Sequence, residues 1–277
     1  MADARIRRWE AAQERRSAMK AYYRLARARL AVAAASALVL AALAATAGIA
    51  GADVLPGNVA YDGRFTFVRL RYDMNWGLRS GLFRRDIKWA HDYPRAERNF
   101  GRIVEEISSL DIYLAPNGGN VLPLDDPELT RFPVAYMAEP GFWQPTDEEI
   151  EGLRNYLLKG GFVIFDDFTS WHFENFTAQM ARALPGIRPI QLDISHPIFH
   201  SFFDIETLEM APMYGPPPTF WGLFENNDPA GRMYAIANYE NDIGEYWEYS
   251  DTGWYAVDVT NEAYKFGVNY VMYALTH

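Results

Sequence analysis

The chain has no cysteine among its 277 residues. Disulfides, thiolate metal sites and a cysteine nucleophile are therefore excluded. Histidine is scarce, with five copies. The spacings H-E-x-x-H, G-x-G-x-x-G, the Walker phosphate loop and G-x-S-x-G are all missing, so the sequence announces neither a zinc hydrolase, a nucleotide site nor a serine hydrolase. No cofactor is implied. Ser170 and Ser201 lack an elbow, and Ser201 beside His200 is not a triad. Basic residues are also rare once the N-terminus is passed: after residue 30 the chain carries 17 Lys or Arg against 33 acids. Such an acidic body excludes nucleic acid as a partner, whose phosphates need a basic surface.

What is present is a chain rich in apolar residues (49%) and aromatics (15%), enough to bury a core. Its charge is unevenly placed. Residues 1–30 hold nine Arg or Lys and three acids. From Leu30 to Ala52 there is no charge at all, and about 20 helical residues cross a bilayer core of roughly 30 Å. A basic head of residues 1–29 would stay on the cytoplasmic side. Residues 30–52 are then a transmembrane anchor, or a signal peptide cut near Ala52 at the small-x-small Ala50-Gly51-Ala52; a start at Met19 would suit the second reading. Either way the rest is expected outside the cytoplasmic membrane, in the periplasm, anchored in the inner membrane or released. Residues 53–63, with Pro56, Gly57 and Gly63, read as a linker.

Residues 64–277 read as one α/β domain with a mostly parallel sheet. Phe65–Tyr72 alternates as a strand. Ala96–Leu110 carries a helical apolar stripe, and Asp111–Leu114 could be a short strand. Asn117-Gly118-Gly119-Asn120 reads as a turn. The clearest unit is a strand at Phe132–Met137, a helix opened by the capping box Thr146-x-x-Glu149 and closed by Gly160-Gly161, and an apolar strand at Phe162–Phe165. A helix over Phe173–Leu184, strands over Ile187–Leu192 and Gly231–Tyr239, and a C-terminal helix capped by Asn261 complete the pattern. Segments 73–95 and 205–230 are long for loops of such a fold, and long loops are often functional.

Several pieces occur in a specific order: Phe67-Val-Arg-Leu-Arg-Tyr72; Thr146-Asp-Glu-Glu with Tyr156-Leu, Gly160-Gly-Phe and Asp166-Asp167; His196-Pro-Ile-Phe-His-Ser201; and Gly231-Arg232-Met-Tyr-Ala with Trp247-Glu248. In this order, over about residues 63–275, the chain resembles domain-of-unknown-function family 4159, found in exported bacterial proteins. That family looks related to class I glutamine-amidotransferase-like domains. The resemblance implies a three-layer, flavodoxin-like sandwich. It also implies that Asp166-Asp167 follow the strand whose turn carries the amidotransferase cysteine, so amidotransferase chemistry is lost.

Asp166 and Asp167 are the foremost site candidates, because ligands in open α/β sheets bind beyond the carboxyl ends of strands. Two adjacent carboxylates could hold a metal or supply a base; His172 could join them. Their structural alternative is to cap the following helix or to pair with Arg69 or Arg71. His196, His200 and Asp204 have the spacing of a metal set, but Pro197 disfavours helix at His196, so a bend is the blander reading. Trp76, Trp89, Trp143, Trp171 and Trp221 fall in loops, where they could anchor an interface or stack on sugars, or fold the loops down as satellite cores.

Two functions follow as expectations. The first is a non-enzymatic binding or scaffold module of the bacterial envelope, with an envelope or membrane protein as partner. The alternative is a carbohydrate-related enzyme or ligand-binding domain using the Asp166/Asp167 crevice.

Overall fold

A computed structural model describes residues 57–73, 86–211 and 213–277. The basic head, the apolar segment 30–52, residues 53–56 of the expected 53–63 linker and Trp76 lie outside the described residues. Among the described residues no helix is long and apolar enough to cross a membrane.

The elements are β1 (Phe67–Arg71), α1 (Arg95–Ile107), β2 (Gly119–Pro123), β3 (Val134–Ala138), α2 (Asp147–Leu158), β4 (Phe162–Phe168), α3 (His172–Ala183), β5 (Ile190–Gln191), β6 (Thr219–Phe224), β7 (Met233–Tyr239), α4 (Ile243–Glu248) and α5 (Val257–Thr276). They build a mixed α/β fold around a seven-stranded sheet in the order β2-β1-β3-β4-β7-β6-β5. The first five of these strands are mutually parallel; β6 and β5 extend the sheet antiparallel at the β7 edge.

Side chains alternate between the two faces, as the strand repeat requires. Val68, Leu70, Ala135, Met137, Val163 and Phe165 pack with Ile150, Leu153 and Leu157 of α2 and with Phe176 and Met180 of α3. Phe67, Tyr136 and Ile164 pack on the opposite face with Phe100 of α1, Trp247 of α4 and Phe266 of α5. With helices on both faces, the central strands run mostly apolar, and every residue of β3 and β4 is buried, Asp166 and Asp167 included.

The capping box forms as its residue types dictate: Thr146 Oγ1 accepts from Glu149 N at 3.1 Å, and Glu149 Oε2 accepts from Thr146 N at 2.9 Å. Other expectations need correction. α5 starts at Val257 with Ala256 at its cap, so Asn261 lies inside the helix. Ile112 makes one isolated bridge to Phe65 instead of a strand. Only Ile190 and Gln191 of the expected 187–192 strand pair. Gly119 and Asn120 open β2 instead of closing a turn. There, a Cβ on Gly119 would lie 2.1 Å from the Phe67 carbonyl oxygen, so glycine is what lets the strands meet. β6 (Thr219–Phe224) forms a strand inside segment 205–230, expected as a loop, and α4 matches no expected element.

The free edge of β2 is covered by Asn58 and Val59. Asn58 Nδ2 donates to the Val121 carbonyl oxygen at 2.9 Å and its Oδ1 accepts from Val121 N at 2.9 Å. Asn120 returns the pattern, with Oδ1 accepting from Val59 N at 3.0 Å and Nδ2 donating to the Val59 carbonyl oxygen at 2.8 Å. Two side-chain amides thus imitate strand pairing, and this end of the expected linker belongs to the folded domain.

Candidate functional site

Strands β3, β4 and β7 end beside one another, and each delivers acids. Glu139 follows β3, Asp166 and Asp167 close β4, and Asp242 follows β7 at the start of α4. Asp92, three residues before the first residue of α1, comes from the long segment 73–95. The residues around these ends line a cleft of about 530 Å3, with Lys88, His91, Phe142, His172, Tyr214, Glu245 and Glu248 among its walls. Ligand clefts commonly span roughly 300–1,000 Å3. A groove of about 700 Å3 between Pro127 and Lys159 is lined by solvated side chains and contains no buried polar residue, so the cleft at the strand ends is the better candidate.

Asp166 and Asp167 do different work. Asp166 is fully buried beneath the cleft. It accepts from Tyr136 Oη at 2.6 Å, Asn238 Nδ2 at 2.9 Å and Gly244 N at 2.9 Å. Tyr270 Oη donates to Asn238 Oδ1 at 2.8 Å and fixes that amide. Burial raises the Asp166 pKa, and these donors oppose the rise. Asp166 therefore neither caps α3 nor pairs with Arg69 or Arg71; it ties β3, β4, β7 and α4 together.

Asp167 faces the cleft. Its backbone is left-handed, with φ of 60°, and so are Asp92 (64°) and Glu139 (47°). Such conformations are costly for non-glycine residues and gather at functional sites. Burial, then the charge of Glu139, pushes the Asp167 carboxyl up to about 7. Tyr214 Oη donates to Asp167 Oδ1 and lies 3.4 Å from Asp242 Oδ2. Burial likewise holds Asp92 and Asp242 well above the usual carboxylate range, with the Asp167 charge adding to each.

The positive groups are already paired. His91 Nδ1 lies 2.5 Å from Glu139 Oε1, and Nε2 lies 2.5 Å from Asp86 Oδ1. The Glu139 contact chiefly raises the imidazole to about 9. Lys88 Nζ lies 2.7 Å from Asp86 and 3.2 Å from Glu139. His172 lines the wall, and burial lowers its pKa. Its ring packs edge-on against Phe142, with centroids 4.6 Å apart. Gly141 makes room for it, since a Cβ there would lie 2.2 Å from His172 Cγ.

Of the residues expected from sequence, Asp167 and His172 share the cleft, with Asp166 directly beneath. Arg69 is elsewhere in the network. It is buried against Glu97 at 2.5 Å and donates to the carbonyl oxygens of Trp89 and His91. Arg71 is exposed near Asp73 and Glu149, away from the cleft. The His196, His200 and Asp204 set does not assemble. His196 Nδ1 accepts from Ile198 N at 3.2 Å, whereas His200 Nδ1 pairs with Asp204 at 2.5 Å. The possible metal-holding groups among the described residues include none of the three.

Among the tryptophans, Trp143 is fully buried in the core, so it offers no interface. Trp89 and Trp221 are half-buried, Trp221 against Phe173. Trp171 is 61% exposed, beside Phe142 and His172.

Sequence reasoning missed His91, Asp92, Glu139, Tyr214 and Asp242. The signal was present. Glu139 directly follows β3 and Asp242 follows β7, at the same carboxyl ends of strands where Asp167 closes β4, while His91, Asp92 and Tyr214 lie in the two segments already noted as long.

A comparison with curated proteins finds no match. Residues 66–275 match a family described as a domain of unknown function. With that match spanning the sheet, its helices and the acidic cleft alike, the chain belongs to the DUF4159 family.

Proposed function

We propose that this protein is a ligand-binding domain of the bacterial envelope whose acidic cleft takes a polyhydroxylated, carbohydrate-like compound. The observation that carries the reading is the convergence of Asp167, Asp92, Glu139 and Asp242 with the rings of Phe142, His172 and Tyr214 in one cleft. Carboxylates accept from sugar hydroxyls, and aromatic faces cover the apolar side of a sugar ring.

The fold is read as flavodoxin-like. Support comes from the parallel order β2-β1-β3-β4-β7 with helices on both faces. A kinship with amidotransferase-like domains draws support from the left-handed Asp167 at the end of a central strand, the backbone of a strand-to-helix elbow. With no cysteine in the chain, a carboxylate stands where that nucleophile would. Export, by an anchor or a cleaved signal within residues 30–52, rests on the uncharged segment and the basic residues ahead of it.

The docking-module reading has one observation in its favour. Trp171 is exposed at the cleft rim, where a partner's side chain could cover it. The experiment is a thermal-shift and calorimetric screen of the full chain against envelope saccharides and their oligomers, with Asp167→Asn beside the wild type. Saturable binding lost in Asp167→Asn supports the cleft reading. No saccharide response, together with capture of an envelope protein that depends on Trp171, would replace it with the docking module.

A further inference from the structure

We infer that Asp92, Asp167 and Asp242 form a site for a hard divalent cation of the magnesium, manganese or calcium class at the buried end of the cleft. One oxygen from each carboxylate can be chosen so that all three lie within 4.8 Å of one another. Oxygens bound to a single cation at about 2.1–2.4 Å stand roughly 3–5 Å apart. The three acids arrive from separate places: the turn before α1, the end of β4 and the start of α4. Their meeting is a product of the fold, not of one acidic stretch of sequence.

A second observation points to a missing partner. Asp92 is 8% exposed and lines the cleft, yet its Oδ2 has no hydrogen-bond partner among the described residues. Buried polar atoms are almost always satisfied, so an orphaned carboxylate oxygen needs an explanation. Among the described residues the protein's own cations do not supply one. Lys88 is committed to Asp86 and Glu139, and both nitrogens of His91 are occupied by the same two residues. Arg69 is committed to Glu97 and to backbone carbonyl oxygens. Among the described residues the nearest charged nitrogen to Asp167 is His91 Nδ1, at 3.8 Å.

The donor set selects the ion. Three carboxylates, without thiolate and without a free imidazole, suit hard cations over zinc or copper. Tyr214, hydrogen-bonded to Asp167 and near Asp242, orients two of the three ligands from outside. Three protein ligands leave positions open, which vicinal hydroxyls can fill; this last step rests on the reading of the cleft as a saccharide site.

The test uses the full chain, stripped with EDTA and titrated with magnesium, manganese or calcium chloride by calorimetry and thermal unfolding. A saturable rise in melting temperature is expected for at least one ion. Asp92→Asn and Asp242→Asn should stay folded without metal but bind it at least tenfold more weakly. Asp125→Asn, in the solvated groove, should bind as the wild type does. Absence of any response at millimolar cation, or an unchanged response in both cleft variants, overturns the site. Saccharide binding that survives EDTA overturns the cation's part in holding the saccharide, and leaves the cleft reading standing. Cation binding without any saccharide response does the reverse.

Discussion

Arg69 Nη1 donates to the carbonyl oxygen of His91 at 3.1 Å, so a residue of the sheet holds the segment that delivers Lys88, His91 and Asp92. Its Nε and Nη2 converge on one oxygen of Glu97 at 2.5 Å, with both side chains 1% exposed. Arg69 serves the cleft by positioning its wall.

Removing one partner of a buried pair leaves the other charge without compensation, at about 3–5 kcal/mol. Arg69→Met should lose stability on that scale in urea unfolding. Adding Glu97→Gln should restore part of it, because the stranded charge is gone. A loss in Arg69→Met below about 1 kcal/mol would show that the pair is not essential to the buried network.

Asp166 and Asp167 should separate cleanly. Asp166→Asn can keep its contacts: one amide oxygen still accepts from Tyr136 and Gly244, while Asn238 and Tyr270 reverse their donor and acceptor roles. Its melting temperature should stay near that of the wild type. Asp166→Leu strands three donors at about 1–3 kcal/mol each and should unfold far more easily. Equal damage from both changes would contradict this assignment.

Asp167→Asn should melt higher than the wild type in the absence of ligand. It removes a charge that faces Asp92, Glu139 and Asp242, while its amide oxygen still accepts from Tyr214. Stability gained at the expense of binding is the usual signature of a functional carboxylate. Scanning calorimetry of apo samples checks the direction, and a lower melting temperature would argue that Asp167 is a structural residue.

His196 gives a pH dependence. Burial lowers its folded pKa below the ordinary 6.5, with His277 acting in the same direction and Asp193 opposing. The unfolded chain then binds the proton more readily, so stability present at pH 7 is lost as pH falls through about 6.5 toward the folded value. Protonation would also remove the Nδ1 acceptor used by Ile198. His196→Asn keeps an acceptor for that N–H and cannot titrate. Its melting temperature should fall less between pH 7 and pH 5 than that of the wild type; parallel curves would exclude His196 as a source of acid sensitivity.

Much of the fold was legible because local and tertiary signals agreed. Thr146 and Glu149 specify a helix start within four residues, and Phe162–Phe165 can only be a strand buried on both faces. The failures have a common cause. Gly119 looks like a turn residue until β1 approaches it, and Asn261 looks like a cap until packing of Val257–Thr276 carries the helix past it. The site was legible in half. Asp167 follows an obvious strand, but Asp92 and Tyr214 reach it from segments with no periodicity, so only the closed fold shows that they meet. Arg69 carried the right suspicion for the wrong partner. Its guanidinium lies over the ring of Tyr136, whose hydroxyl meets Asp166, so the two candidates are neighbours once removed.

The paired amides of Asn58 and Asn120 have a mechanical meaning. Tension applied to the chain ahead of Asn58 would meet four hydrogen bonds along the β2 edge before reaching β1. Such a clasp resists as a shear joint: its bonds share the load instead of opening one after another. The same covered edge refuses an added strand from another chain, so recognition is left to the opposite resource of the molecule, the ends of its strands.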